Sequence, residues 1–230
     1  MKLVWSPDRA SKAYMSTVQS FGNGKEFGGA EFISAMAAGW NAKLIVESWT
    51  NGGPVAMSIG LAMAARHTGG RHVCVVPDEG SRSAYVKSMH GAGMAEGETE
   101  VMVGEAEEVM AGLGGVDFLV VDCKRRDFVR VLRFAKLSPK GAVLACKNAS
   151  HKSTASGFRW HGVLERGTRV VRSVFLPVGQ GLDMAYIGSR SNSNGNSNSG
   201  GIASAKKGGP ASRWIKHVDQ KSGEEHLFRG

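Results

Sequence analysis

Three cysteines in 230 residues, Cys74, Cys123 and Cys146, are too few and too scattered for a disulfide framework or a zinc site. All three fall in or beside segments that read as strands, so they are expected to be buried free thiols of a reducing compartment. No apolar run approaches the roughly 20 residues of a membrane span. The opening MKLVWSPDRASKAY has no apolar centre and does not read as a signal peptide. An intracellular protein, cytoplasmic or nuclear, is therefore expected, with no membrane partner. There is no P-loop and no Gly-x-Gly-x-x-Gly after a strand. The seven histidines show no metal-ligand spacing.

What is present is basic charge and an ordered alternation. The net charge of +9 is uneven: residues 151–230 hold 12 Lys/Arg against 5 Asp/Glu. A basic C-terminal third can attract nucleic acid non-specifically or simply solvate the chain. Ser6-Pro7-Asp8 starts a short helix that runs to about Gln19, and a second helix covers 29–38. Then strands at 43–48, 71–76, 100–103, 116–123 and 141–146 alternate with helices at 54–66, 81–90, 106–113 and 127–135. That spacing predicts an α/β fold: a three-layer, mostly parallel sheet with helices on both faces. After residue 151 two β-rich runs, 167–177 and 181–187, flank Val178-Gly179-Gln180 and predict a closing antiparallel hairpin. The domain reading is an N-terminal helix and loop (1–28), a Rossmann-like domain (29–188), a disordered Ser/Asn/Gly linker (189–210) and a C-terminal tail (211–230).

The segments EFISAMAAGWNAKLIVES (31–48), CVVPDEG (74–80), VDFLVVDCKRRDFVRVL (116–132) and FLPVGQGLDMAYI (175–187) resemble the caffeoyl-coenzyme A and catechol O-methyltransferases. The opening VWSPDRASKAY and the chain as a whole also resemble a plant family of unknown function with a methyltransferase-like fold. The resemblance implies a class I S-adenosylmethionine-dependent methyltransferase domain, its cofactor lying across the carboxyl ends of the strands. It implies Glu47 near the methionine amino group and Gly52 and Gly53 in the turn below the cofactor. Asp78 would bind the ribose hydroxyls, Gly104, Glu105 and Ala106 would lie by the adenine, and Asp122 would face the reaction centre. Each residue also has a plain structural role open to it: a helix cap, a turn, or a tight strand-to-helix connection.

Two positions depart from that pattern. Trp49 stands where the related enzymes have the first glycine after strand one, so the indole either turns aside or fills the methionine site. Asp122 and Asn148 match two of the three ligands of the related divalent-cation site, but the middle ligand is Lys147. Magnesium and calcium take oxygen ligands, so no metal is expected. Lys147 is expected to replace the metal's charge by pairing with Asp122 within ~4 Å, which leaves Asp122 and Lys147 as the catalytic candidates. His151 and His161 are weaker candidates for contact with an acceptor. His67 and His72 read as surface residues, and Lys124-Arg125-Arg126 as a solvated basic turn. Three readings stand: a metal-independent methyltransferase on a small or macromolecular acceptor, a catalytically silent relative acting as a binding or regulatory module, and a nucleic-acid-associated protein using its basic C-terminal third.

Overall fold

Leu44–Ser48 and Ala142–Lys147 are buried along almost their whole length, as strands covered on both faces must be. In the computed structural model they lie near the middle of one sheet. The structure describes residues 5–21, 29–151 and 159–189, and the backbone of 214–218 and 225–229. It divides into two units, residues 1–192 and 193–230.

The first unit opens with helices α1 (Pro7–Phe21) and α2 (Ala30–Gly39). Strand β1 (Leu44–Ser48), α3 (Ala56–Thr68), β2 (Arg71–Val76), α4 (Glu79–Gly91), β3 (Glu100–Val103) and α5 (Ala106–Gly112) follow. Next come β4 (Gly114–Val116), β5 (Phe118–Asp122), α6 (Phe128–Phe134), β6 (Lys136–Leu137) and β7 (Ala142–Lys147). The short helix α7 (Trp160–Val163) and the hairpin β8 (Val170–Leu176) and β9 (Leu182–Ile187) complete it. The main sheet has the order β3-β2-β1-β5-β7-β9-β8. It is parallel from β3 to β7, and β9 and β8 close it antiparallel. This is the Rossmann-like methyltransferase architecture that the alternation and the hairpin signal predict.

Strand alternation sorts the core. Val46, Leu119, Val121, Leu144 and Cys146 pack with α5 and α6 on one face. Ile45, Phe118, Val120, Val143 and Ala145 pack with α1, α2 and α3 on the other. The period of two then carries Glu47, Asp122 and Lys147 to this second face. Direct register confirms the last pair, since Asp122 on β5 stands opposite Lys147 on β7. Helix α1 is tied to α2 by Thr17, whose hydroxyl donates to Ser34 Oγ at 2.9 Å. Gly39 of α2 lies under the Trp5 ring, which a methyl group there would overlap.

Several local expectations change. The expected strand 116–123 is split, because Asp117 turns aside and its carboxylate accepts from the Lys43 and Leu44 amides at 2.8 and 3.2 Å. The residues before it form β4, which pairs with β6 in a separate small sheet. Helix α3 begins two residues after Pro54, with Val55 at its N-cap. Cys74 and Cys146 are buried thiols, but Cys123, just past the end of β5, is only partly buried. The Ser/Asn/Gly linker lies outside the described residues beyond Ser189. In the second unit, β10 (Trp214–Val218) and β11 (Glu225–Arg229) form an antiparallel pair. Among the described residues no helix is long and apolar enough to cross a membrane.

Candidate functional site

The sheet order reverses between β1 and β5, so the connections leave these strands in opposite directions and open a crevice at their carboxyl ends. A cleft of about 840 Å3 lies there. It is lined by the β1–α3 loop, the first residues of α3, the ends of β5 and β7, and the Val178–Gly181 turn. Gly52, Gly53, Asp122, Lys147 and Asn148 all line it. Glu47, Asp78, Gly104, Glu105 and Ala106 do not. The cleft thus gathers the glycine loop and the ends of β5 and β7 but not the other expected cofactor residues.

At the floor of the cleft, Asp122 Oδ1 accepts from the Lys124 amide at 2.9 Å and from Asn148 Nδ2 at 2.7 Å. Its Oδ2 lies 3.7 Å from the Lys147 ammonium. Asp122 and Lys147 are each 8% exposed. Asn148 adopts φ 58°, a left-handed conformation that asparagine tolerates better than most residues and that turns its amide back toward Asp122. This donor set does not fit a divalent cation: an ammonium and an amide N–H occupy the carboxylate a metal would need. Among the described residues no group of three or more His, Cys, Asp or Glu is placed to hold a metal.

Glu47 points away from the cleft into a buried cluster. It is 1% exposed, and Tyr85 on α4 donates its hydroxyl to Oε1 at 2.9 Å. His72 Nε2 approaches the same oxygen at 3.3 Å. Burial alone would raise the Glu47 carboxyl. The neighbouring His72, the Lys147 charge and the nearby Ser58 hydroxyl outweigh it and hold the group below the ordinary carboxylate range. Burial and the Glu47 charge push the Tyr85 phenol far up, so it stays a neutral donor. Burial, then Glu47, raises the Cys74 thiol in the same way and leaves it unreactive. His72 is therefore a core residue, not the surface residue expected; its Nδ1 lies 2.9 Å from Thr99 Oγ1.

Trp49 fills the space beyond Glu47. Its indole is 1% exposed and meets Tyr85 edge-on, with centroids 5.3 Å apart and planes at 71°. Ile59, Met63, Val76, Met89 and Met94 complete the cluster. Arg125 seals the crevice from the β5 side, correcting the expectation of a solvated basic turn. Its guanidinium donates to the Trp49 carbonyl at 2.6 Å and to both oxygens of Asp127 at 2.7 and 2.5 Å. The Arg125 hydrogen bond holds Asp127 below the ordinary carboxylate range. No local signal marks this inward turn, although Asp127 two positions on is a ready partner. Tyr85 likewise looks like any helix residue in the sequence, and only the fold brings it to Glu47.

The remaining candidates have structural partners. Asp78 caps α4, accepting from the Ser81 amide at 2.7 Å. Glu105 precedes α5 and lies 3.6 Å from Arg130, while Ala106 is buried against the sheet. Gly104 adopts φ 147° and donates its amide to Val76 at 3.0 Å, continuing the edge of the sheet. His161 is exposed on α7. The His151 side chain lies outside the described residues. Where the resemblance expects the methionine end of S-adenosylmethionine, the Trp49 indole is buried and Glu47 is enclosed by Tyr85 and His72.

The fold itself has many solved counterparts. A methyltransferase from Geobacter sulfurreducens is 21% identical, with TM-score 0.53, 79% of this chain covered and 90% of that one. The O-methyltransferase from Bacillus cereus in complex with S-adenosylhomocysteine is 17% identical, with TM-score 0.52 and coverage of 80% and 93%. The O-methyltransferase TomG from Streptomyces achromogenes in complex with S-adenosylmethionine is 21% identical, with TM-score 0.51 and coverage of 81% and 92%. At these identities the likeness establishes the methyltransferase fold. No curated protein matches the sequence. The family described as "Protein of unknown function (DUF1442)" matches residues 1–230, and the chain belongs to it.

Proposed function

We propose that this methyltransferase-like protein is a ligand-binding module that does not take S-adenosylmethionine in the strand-end pose of its fold. One observation carries the reading: the Trp49 indole, 1% exposed, occupies the space at the end of β1. The Arg125 bond to the Trp49 carbonyl and the enclosure of Glu47 by Tyr85 support it, since both hold this end of β1 in place. The cleft beside the plug stays open, and its roughly 840 Å3 falls within the range of small-molecule sites.

Calorimetric titration of the full chain with S-adenosylmethionine and S-adenosylhomocysteine tests this. The expected result is no saturable heat at millimolar ligand and no rise in Tm. A ligand present at 100 times its Kd would stabilise the fold by about 2.7 kcal/mol, so a missed interaction would have to be very weak. Saturable binding accompanied by a Tm rise overturns the reading in favour of a metal-independent methyltransferase.

A further inference from the structure

We propose that the cleft is a site for a small organic anion on an apolar body, with the Lys147 ammonium receiving the anionic head. The proposal deepens the ligand-module reading and rests on it. Among the described residues three charged side chains line the cleft: Asp122, Lys124 and Lys147. Asp122 Oδ1 is already engaged. One oxygen accepts from the Lys124 amide and Asn148, and the other faces Lys147. Lys147 is less satisfied. Its contact with Asp122, at 3.7 Å, is beyond hydrogen-bond length, so its donors stay available although its charge also acts on the buried Glu47. At 8% exposed it is largely withdrawn from solvent, where charge is poorly screened and an incoming anion is strongly attracted.

The surroundings share that sign. Lys124 stands exposed at the rim. The first turn of α3 opens on the cleft with no side-chain cap at Val55, so the positive end of the helix faces the same space. An incoming cation would meet two lysines and an acid already engaged. The walls are apolar, formed by Val55, Met57, Ile59, Val178 and Leu182. A head group alone would leave this surface wet, so the ligand carries an apolar body.

An isosteric series separates charge from shape: benzoate and phenyl phosphate as anions, benzyl alcohol as the neutral probe, benzylamine as the cation. Each is titrated into the full chain and followed by amide NMR. Benzoate and phenyl phosphate are expected to shift Gly52, Gly53, Gly179 and Gly181 saturably and to bind at least about tenfold tighter than benzyl alcohol. Lys147→Met should remove that preference and Lys147→Arg should keep it. Should Lys147→Met fail to fold, Lys124→Gln at the exposed rim provides a second variant, expected to weaken benzoate about threefold. The proposal is overturned if benzylamine or benzyl alcohol binds as tightly as benzoate, if the shifts fall outside the cleft, or if Lys147→Met retains the preference. The two readings fail separately. Binding of S-adenosylmethionine removes the ligand-module reading. Absence of anion preference in a chain that ignores S-adenosylmethionine removes only this proposal.

Discussion

Glu47 holds its charge inside the protein because Tyr85 and His72 take over the work of water. The consequence for stability has a definite sign. The folded carboxyl titrates below its ordinary value, so the unfolded chain binds the proton more readily at acid pH. The stabilisation is fully present above the unfolded carboxyl pKa of about 4.3 and is lost as pH falls through the lower folded value. Glu47→Gln should therefore lower stability near neutrality by about 1–3 kcal/mol, and the gap to the parent should shrink as pH falls below the carboxylate range. Urea midpoints across a pH series check this. A gap that widened on acidification would contradict it. Trp49 shows how one residue can join the core. Its indole is packed in the buried cluster with Ile59, Met63 and Tyr85, at the position where the related enzymes have a glycine.

Secondary-structure ends carry local duties in this fold, and Asp78 performs one of them. It follows β2 at the position the resemblance assigns to ribose recognition, yet its side chain accepts the Ser81 amide at the start of α4. Loss of an N-cap costs about 1 kcal/mol. Asp78→Ala should lower the urea midpoint accordingly while leaving benzoate titration of the cleft unchanged, because Asp78 does not line it. An unchanged midpoint would contradict the capping role. The pairing of β5 with β7 works in the same way. The register that sets Asp122 opposite Lys147 also fills a metal position with an ammonium.

Across the whole molecule, the seven-stranded sheet and its three buried clusters lie within residues 1–192. A chain ending at Ser189 is therefore expected to unfold at the same urea midpoint as the full chain, with far-UV circular dichroism as the readout. A clear drop in midpoint would mean that residues 190–230 contribute to the stability of the first unit. The basic excess of the C-terminal third is a property of composition, and it acts on solubility and long-range attraction more than on the fold.

Alternating apolar runs, their spacing and the Leu176–Gly181 turn signal were enough, with no structure, to define the sheet, its helices and its closing hairpin, because these depend on period and local chemistry. The pairing of Asp122 with Lys147 was legible too, since both residues end neighbouring strands. The destination of each polar side chain was not. Asp117 broke an expected strand by reaching 74 residues back to the Lys43 amide, and His72 and Arg125 turned inward against their polar composition. Tyr85 met Glu47 across 38 residues of sequence. Such choices depend on which buried groups find partners across the fold. The sequence alone thus determined a methyltransferase scaffold, and only the tertiary structure decided that Trp49 and Glu47 are buried while the cleft beside them stays open, because burial and long-range hydrogen bonding leave no local pattern to read.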